Sequence, residues 1–287
     1  MAKQLGKGSV TVVEDAASPP PGWTARAWAI AEAARGATAD WLLITRGDID
    51  WDERAIAGLT AFARERQADL VSLFGRQETT TTAERIVLPV LFQALATVSP
   101  LAAVNDPARQ NVAVAFEECL LIKRSAWSAV GGLKPVAERD SPWNELARLV
   151  KASGRRIVVG SGRPLFLVRH GLTNQALRAR WAKALGTVVG NHPGFLQLAA
   201  LVVLAVNVLP FGWLLLGLLG LFLNPGSIPW TMCGVIGLAQ CGVALGIRRW
   251  LDRFTTAPAH FLITHPVGGL MVIAILLQAA HRPKGAE

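Results

Sequence analysis

Cysteine is scarce in this chain of 287 residues, and no spacing of cysteines or histidines is typical of a metal site. The cysteines, Cys119, Cys233 and Cys241, lie in apolar stretches at unrelated spacings. This pattern indicates small buried side chains and not a disulfide framework. The sequence therefore predicts neither a disulfide-stabilised nor a zinc-stabilised fold.

Charged residues are nearly absent from residues 195–280, whereas the first 190 residues carry most of the charge in mixed order. The charged side chains of the apolar part are Arg248, Arg249, Asp252 and Arg253. This uneven distribution predicts a soluble domain followed by a membrane domain. We expect the soluble domain to cover residues 1–190 and the membrane domain to cover residues 191–287.

Three apolar segments lie in the predicted membrane domain. They are residues 195–223, residues 228–247 and residues 261–280. The first two are long enough to cross a hydrocarbon core of about 30 Å. The third is weaker because it contains Pro266 and a pair of glycines. We therefore expect two or three transmembrane helices.

The net charge of +9 raises the question of a nucleic-acid partner. The basic residues are scattered, many lie next to the apolar segments, and no nucleic-acid motif is recognisable in the sequence. This distribution favours contact with anionic lipid headgroups. We therefore expect a lipid bilayer, and no nucleic acid, as a partner.

The ends of the apolar segments indicate an orientation. Residues 1–8 are polar with no apolar run behind them, which argues against a secretory signal. The basic stretch at residues 248–253 is typical of a cytoplasmic loop. We therefore expect a multi-pass protein of the inner (cytoplasmic) membrane, with its soluble domain facing the cytoplasm.

Short apolar runs alternate with helical patterns in the predicted soluble domain. The predicted strands are residues 9–13, 41–45, 69–74 and 155–159. Such alternation predicts a mostly parallel, Rossmann-like sheet with helices on both faces. The predicted fold class is therefore α/β, followed by a C-terminal α-helical transmembrane domain.

The strand predicted at residues 41–45 ends in a cluster of aspartates, Asp48, Asp50 and Asp52. Ligands of open α/β sheets bind at the carboxyl ends of strands, and carboxylates there suit a metal or a metal-bound phosphate. Acidic side chains also suit the start of a helix, where they accept hydrogen bonds from free backbone amides. From these residues alone both interpretations stand.

Two further stretches are ambiguous. Residues 84–98 are apolar but too short to span a bilayer, so they predict either a core helix or a helix in the membrane interface. Residues 112–122 predict a strand that is interrupted by Glu117 and Glu118. Because an unpaired buried charge is costly, this glutamate pair needs cationic partners or a cleft.

Several motifs occur in an order that is typical of one known family. They are PPGWTARAW (20–28), ADWLLITRGDI (39–49), NDP (105–107), ECLLIKRSAW (118–127) and ELARLVKASGRRI (145–157). A basic helix with Arg178, Arg180 and Trp181 then precedes the apolar segments. Together these motifs resemble the inverting, membrane-bound glycosyltransferases of family 2, in particular their hopanoid-associated branch. The similarity covers nearly the whole chain.

The resemblance implies a GT-A-like sheet that binds a nucleotide-sugar donor. It implies that the sugar passes to a membrane lipid acceptor, related to hopanoids in this branch, by an inverting mechanism. It also implies a divalent metal, Mg²⁺ or Mn²⁺, which Asp48 and Asp50 would hold against the donor diphosphate. The donor-binding residues that the resemblance implies are Arg26, Arg46, Asp48, Asp50, Arg178, Arg180 and Trp181.

The chain departs from the family at two acidic positions and at its start. Arg46 stands where the first metal-binding aspartate is expected, so it either repels a metal or neutralises the diphosphate itself. The usual paired aspartates align with Pro142 and Trp143, which leaves Asp140 or Glu138 as the expected catalytic base. The first strands of the family have no counterpart in this sequence. The alternative hypothesis is therefore a catalytically inactive, membrane-anchored relative or a truncated gene product.

Overall fold

The computed structural model describes residues 18–98, 101–139, 141–188 and 192–281. It is an α/β structure with mixed sheets, followed by long apolar helices. The strand predicted at residues 9–13 and the predicted domain boundary at residue 190 lie outside the described residues.

The strands form two sheets. In chain order they are β1 (Trp41–Thr45), β2 (Ile49–Trp51), β3 (Leu70–Phe74), β4 (Arg76–Glu78), β5 (Cys119–Lys123), β6 (Ile157–Ser161) and β7 (Phe166–Arg169). One sheet has four strands in the order β1-β5-β3-β6, and the other has three strands in the order β2-β7-β4.

The four-stranded sheet is mixed because β5 runs against its neighbours. β5 is antiparallel to both β1 and β3, whereas β3 and β6 are parallel. In the other sheet β7 is antiparallel to β2 and parallel to β4. The prediction of a mostly parallel sheet is therefore confirmed only as an α/β structure with mixed sheets. Apolar periodicity indicates burial and does not fix strand direction.

The helices of the α/β part mostly follow the strands. They are α1 (Ala25–Gly36), α2 (Ala55–Glu65), α3 (Thr82–Val98), α4 (Leu101–Asn105), α5 (Arg124–Ala129), α6 (Trp143–Ala152) and α7 (Asn174–Val188). Thr24 caps α1, since its hydroxyl accepts a hydrogen bond from the amide of Ala27 at 3.2 Å.

Asp52 accepts a hydrogen bond from the amide of Arg54 at 2.9 Å just before α2. Asp52 therefore lies in the turn before α2, whose N-cap is Arg54 without a side-chain cap, so the helix-cap interpretation of the acidic stretch is not confirmed.

Helices cover both faces of the four-stranded sheet. Leu70 and Ile122 pack on one face against α6, where Leu146 is fully buried. Val71 packs on the opposite face, where Leu59 of α2 is fully buried. Successive side chains of a strand point to opposite faces, so each buried strand contributes to two apolar cores. The prediction of helices on both faces is confirmed.

The C-terminal helices are long and apolar. They are α8 (Pro193–Asn207), α9 (Leu209–Leu223), α10 (Ile228–Leu251) and α11 (His265–Ala280). Three helical stretches are long and apolar enough to cross a membrane: Pro193–Leu223, Ile228–Phe254 and Ala259–Ala280. The first is interrupted at Val208, where the backbone leaves helical geometry just before Pro210.

α3 joins the α/β part to these helices. It covers the stretch at residues 84–98, and its side chains Val87, Leu88 and Leu91 are fully or almost fully buried. They belong to one apolar cluster with side chains of α7, α8 and α11, among them Leu177 and Ile275. α3 is therefore a buried packing helix of the kind that the first of the two interpretations predicted.

α9 and α10 pack closely through glycines. A methyl group added to Gly217 of α9 would lie 2.4 Å from the backbone nitrogen of Gly234 in α10. A methyl group added to Gly234 would come no nearer than 3.8 Å to Gly217. Small residues let apolar helices approach closely where water supplies no driving force. The contact therefore depends on Gly217 and tolerates a larger residue at Gly234.

We expect Gly217→Ala to lower the thermal unfolding temperature of the protein in detergent, because the added methyl group overlaps the α10 backbone. The cost is on the order of 1–3 kcal/mol. Gly234→Ala is the matched control, and alanine's better helix propensity should leave its unfolding temperature equal or slightly higher. Equal destabilisation by both substitutions would contradict this packing.

Candidate functional site

A charged cleft lies at the carboxyl end of β1. Its volume is about 580 Å³, and its charged lining residues come from four parts of the chain. These residues are Arg26 of α1, Arg46 and Asp48 after β1, Glu117 before β5 and Arg180 of α7. The sheet thus brings one of the three aspartates of the acidic stretch, Asp48, together with a glutamate and three arginines. We call this the arginine cleft.

Arg46 is the central side chain of the arginine cleft. Its Nε donates to Oδ1 of Asp48 at 2.8 Å, one of its terminal nitrogens contacts Oδ2, and Nη1 donates to Oε1 of Glu117 at 2.6 Å. Burial acts to lower the pKa of Arg46, but the bonds and charges of Asp48 and Glu117 outweigh burial and raise it. Arg46 is therefore a fixed cation that holds two carboxylates.

Glu117 is shared by three arginines. Besides Arg46, the Nη1 of Arg26 donates to Oε2 at 3.0 Å, and the Nη2 of Arg180 lies 3.7 Å from Oε1. Burial acts to raise the pKa of Glu117, but the charges of Arg26 and Arg46 outweigh it, so the pKa is lowered. Glu117 is therefore ionised. Three guanidinium groups against the two carboxylates of Asp48 and Glu117 leave a surplus of one positive charge.

Arg180 carries this surplus. Burial and then the charge of Arg46 lower the pKa of Arg180, and Glu117, at a longer distance than a hydrogen bond, compensates only in part. The guanidinium still remains charged, because arginine does not deprotonate in proteins near neutral pH. An anion bound in the cleft would supply the compensation that Arg180 lacks.

His170, at the end of β7, is a member of the site that the sequence analysis did not identify. Its Nε2 lies 2.6 Å from Oε1 of Gln77, and its Nδ1 lies 3.8 Å from Oδ2 of Asp48. Burial, followed by the positive charges of Arg180 and Arg46, lowers the pKa of His170 to about 4. His170 is therefore neutral at physiological pH.

Glu117 and Glu118 lie in a turn directly before β5, and not inside a strand as predicted. Of the strand predicted at residues 112–122, only the end belongs to a strand, which begins at Cys119. The two glutamates face different surroundings. Glu117 meets the arginines, whereas Glu118 is buried, and Oε1 of Glu118 accepts a long hydrogen bond of 3.5 Å from Gln77. The pair was expected to need cationic partners or a cleft. Glu117 has the cationic partners, and Glu118 lines a cleft.

A second cleft, of about 310 Å³, adjoins the arginine cleft and shares Arg26, Glu117 and Arg180 with it. Its other lining residues are mainly apolar or aromatic, with Glu118 among them. We call it the Glu118 cleft. Burial raises the pKa of Glu118 to about 7, the charge of Arg46 opposes this, and Glu117 adds to it. Trp181, predicted to bind a donor, lines this cleft and not the arginine cleft.

The remaining predicted site residues lie elsewhere. Asp50 belongs to β2, is largely exposed and pairs with Arg169 at 2.8 Å. Arg178 and Glu138 are exposed, and neither lines either of the two clefts. Asp140 lies outside the described residues. The structure therefore brings together Arg26, Arg46, Asp48 and Arg180 and separates Asp50, Arg178 and Glu138 from them.

The side chains around Asp48 are better suited to bind an anion than a metal ion. Both carboxylate oxygens of Asp48 are paired with Arg46, and Asp50 does not line the cleft. Among the described ranges, no three side chains of His, Cys, Asp or Glu come together as a metal-binding group. A divalent cation prefers several oxygen ligands without a competing guanidinium. The residues around Asp48 therefore do not fit a divalent metal.

The comparisons with known proteins give no family. The chain matches no protein-family model and no curated protein sequence.

Glu118→Gln should change the pH dependence of stability. Because folding raises the pKa of Glu118 from 4.5 to about 7, the folded protein binds this proton more tightly than the unfolded chain does. Its contribution to the free energy of unfolding is complete below about pH 4.5 and is lost as the pH rises through about 7. We expect the variant to match the wild type at acidic pH and to be more stable above pH 7, by on the order of 1–3 kcal/mol.

Thermal unfolding in detergent across this pH range measures the effect. Glu145→Gln is the control, because Glu145 lies on the exposed side of α6 and pairs with Arg148. A stability difference between Glu118→Gln and wild type that does not vary with pH would contradict a buried, protonated Glu118.

Proposed function

We propose that this protein is a membrane-bound transferase of the family 2 glycosyltransferase type. It would move a sugar from a nucleotide-sugar donor to a membrane lipid. The observation that carries the proposal is the convergence of Arg26, Arg46 and Arg180 in a cleft at the carboxyl end of β1. Open α/β sheets bind ligands at this end of their strands, and guanidinium groups bind phosphates with two parallel hydrogen bonds.

The arginines would bind the donor diphosphate without a metal. Arg46 is fixed by its carboxylates, whereas Arg26 is half-exposed and Arg180 is only loosely held by Glu117. A diphosphate can therefore contact Arg26 and Arg180 while Arg46 and Glu117 keep their geometry. As the donor breaks, negative charge develops on the leaving diphosphate, and preorganised cations stabilise that charge.

The attached helices support a lipid as acceptor. α3 and α7 pack against α8 and α11, so the helix that carries Arg180 lies directly on the helices that are apolar enough for a membrane. The proposed transferase would therefore act at the surface of a bilayer. The expected place is the cytoplasmic face of the inner membrane, supported by the exposed Arg249 and Arg253 at the end of α10.

A non-catalytic relative is the second candidate function. It is favoured by the pairing of Arg46 with Asp48, and by Trp143 at a position where the family has an aspartate. Trp143 is 1% exposed and lies against Arg26, so it serves packing in the described structure. In this case the arginine cleft would bind a phosphorylated ligand without transferring a group from it.

Calorimetric titration of the detergent-solubilised protein with uridine and guanosine diphosphates separates these possibilities. Each titration is done in EDTA and again with Mn²⁺. Binding in EDTA supports the arginine mode, and transfer of radiolabelled sugar to a lipid extract then distinguishes the enzyme from the non-catalytic relative. Absence of binding under both conditions would overturn the proposal.

Arg180→Ala should lower the affinity for the nucleoside diphosphate about tenfold or more. A hydrogen bond to a charged group contributes about 1.5–3 kcal/mol, and 1.4 kcal/mol corresponds to a factor of ten. Arg178→Ala, on the same helix but exposed and outside both clefts, should leave the affinity within about twofold. Equal losses in both variants would indicate general electrostatic attraction and not a specific site.

Asp48→Asn distinguishes arginine binding from metal binding. If arginines bind the diphosphate, the substitution removes a competing negative charge beside Arg46 and affinity in EDTA should be retained or increased. If a metal is required, binding should occur only with Mn²⁺ and should be lost in the variant. The second result would restore the metal site that the sequence resemblance implies.

A further inference from the structure

The Glu118 cleft contains buried polar atoms without partners. Oε2 of Glu118 and the indole nitrogens of Trp143 and Trp181 are each buried, and none has a hydrogen-bond partner within the described residues. Glu118 as a whole is only 7% exposed. Most buried polar atoms in folded proteins are hydrogen-bonded, so these three atoms, on residues that line one cleft, are available for the hydrogen bonds of a ligand.

The chemistry of these atoms indicates a hydroxyl group. An indole nitrogen only donates a hydrogen bond, whereas a carboxyl oxygen can accept one from a hydroxyl. A hydroxyl oxygen can accept from an indole and donate its proton to a carboxylate at the same time. A phosphate is better bound in the arginine cleft, where Arg46 adds a third guanidinium group to those of Arg26 and Arg180.

The walls of the cleft indicate that the hydroxyl belongs to an apolar molecule. Phe74, Leu95 and Trp181 line it beside Glu118. The ring of Phe74 lies 6.2 Å from that of Phe254, which lies 5.8 Å from the ring of Trp250 at the end of α10. A series of neighbouring aromatic side chains therefore connects the cleft with a helix that is apolar enough to cross a membrane.

We propose that the Glu118 cleft is the acceptor site and binds a membrane alcohol, whose hydroxyl group is bound by Oε2 of Glu118 and whose apolar chain follows Phe74 and Leu95 towards α10. Binding of the alcohol stands on the cleft alone, whereas the transfer step rests on the proposed function. Glu118 is a base that the family resemblance does not indicate, since that resemblance leads to Asp140 or Glu138. Glu138 is exposed and outside both clefts.

The two clefts adjoin each other, so a sugar can pass from a donor in one to a hydroxyl group in the other. Glu117, next to Glu118 in sequence, lines both clefts, so a hydroxyl on Glu118 lies beside the site proposed for the diphosphate. The hydroxyl oxygen forms a bond to the anomeric carbon of the nucleotide-sugar while its O–H bond breaks and the proton passes to Oε2. The bond from that carbon to the diphosphate breaks, and its electron pair leaves with the nucleoside diphosphate. Glu118 then returns its proton to water.

A photoreactive alcohol tests binding without any transfer. The full chain is reconstituted in phosphatidylcholine vesicles containing hexadecanol that carries a diazirine, irradiated, and mapped by mass spectrometry. We expect crosslinks in residues 114–118 or 181–184, with competition by hexadecanol and not by hexadecane. Glu118→Leu should lose at least three-quarters of the crosslink, and Glu145→Leu should keep it. Crosslinks that hexadecane displaces equally well, or none in this cleft, would overturn the inference.

Glu118→Gln tests the proton transfer, because it keeps the shape and the hydrogen bond from Gln77. With radiolabelled UDP-glucose or GDP-mannose and a lipid extract, we expect transfer to fall by about a hundredfold or more while diphosphate affinity stays within twofold. The fall of wild-type activity below about pH 7, which is the acidic limb of the pH profile, should also disappear in this variant. Full activity in Glu118→Gln together with loss in Asp140→Asn would overturn the role of Glu118 as base.

The two proposals fail separately. A competed crosslink without any nucleotide binding would overturn the proposed transferase and leave the alcohol site standing. Nucleotide binding without a crosslink in the Glu118 cleft would overturn the acceptor site and leave the arginine cleft standing.

Discussion

The ion pairs of Arg46 determine the geometry of the whole site. Arg46 follows β1, and it binds Asp48 on its own loop and Glu117 on the turn before β5. The hydroxyl of Thr45 also donates to the carbonyl of Glu118 at 2.8 Å, so the two loops are joined at neighbouring positions. Without this guanidinium, Asp48 would lose the cation that pairs with both of its oxygens, and Glu117 would keep Arg26 and the more distant Arg180. Burying an unpaired charge costs several kcal/mol. The arrangement that binds these carboxylates also leaves Arg26 and Arg180 able to contact an anion.

The sequence was sufficient for the parts of the site that are local, and insufficient for those that depend on strand direction. The acidic end of the β1 strand and the need of Glu117 and Glu118 for partners follow from short patterns. That Arg46 is the partner follows only from the antiparallel pairing of β1 with β5, which sets Thr45 opposite Cys119. His170 meets Asp48 through the pairing of β7 with β2, and no short pattern predicts such a contact.

The site and the apolar helices share one strand. Gln77 of β4 pairs through its backbone with the stretch that follows α10, where its carbonyl accepts from the amide of Thr256 at 3.1 Å. The side chain of the same residue contacts His170 and Glu118. A displacement of the end of α10 would therefore move the hydrogen-bond partner of both groups, which makes the position of the helices a determinant of the site geometry.

The end of α10 also qualifies the charge argument for orientation. Arg248 is fully buried, pairs with Asp252 at 3.0 Å and donates to the carbonyl of Arg85 in α3 at 2.8 Å. Arg248 therefore attaches α10 to the α/β part and is not available to lipid headgroups. Arg249 and Arg253 are exposed, as is Trp250 between them, and this combination is typical of a membrane–water interface. Because the α/β part contacts α10 at this same end, whichever side of the membrane the two arginines select also contains both clefts.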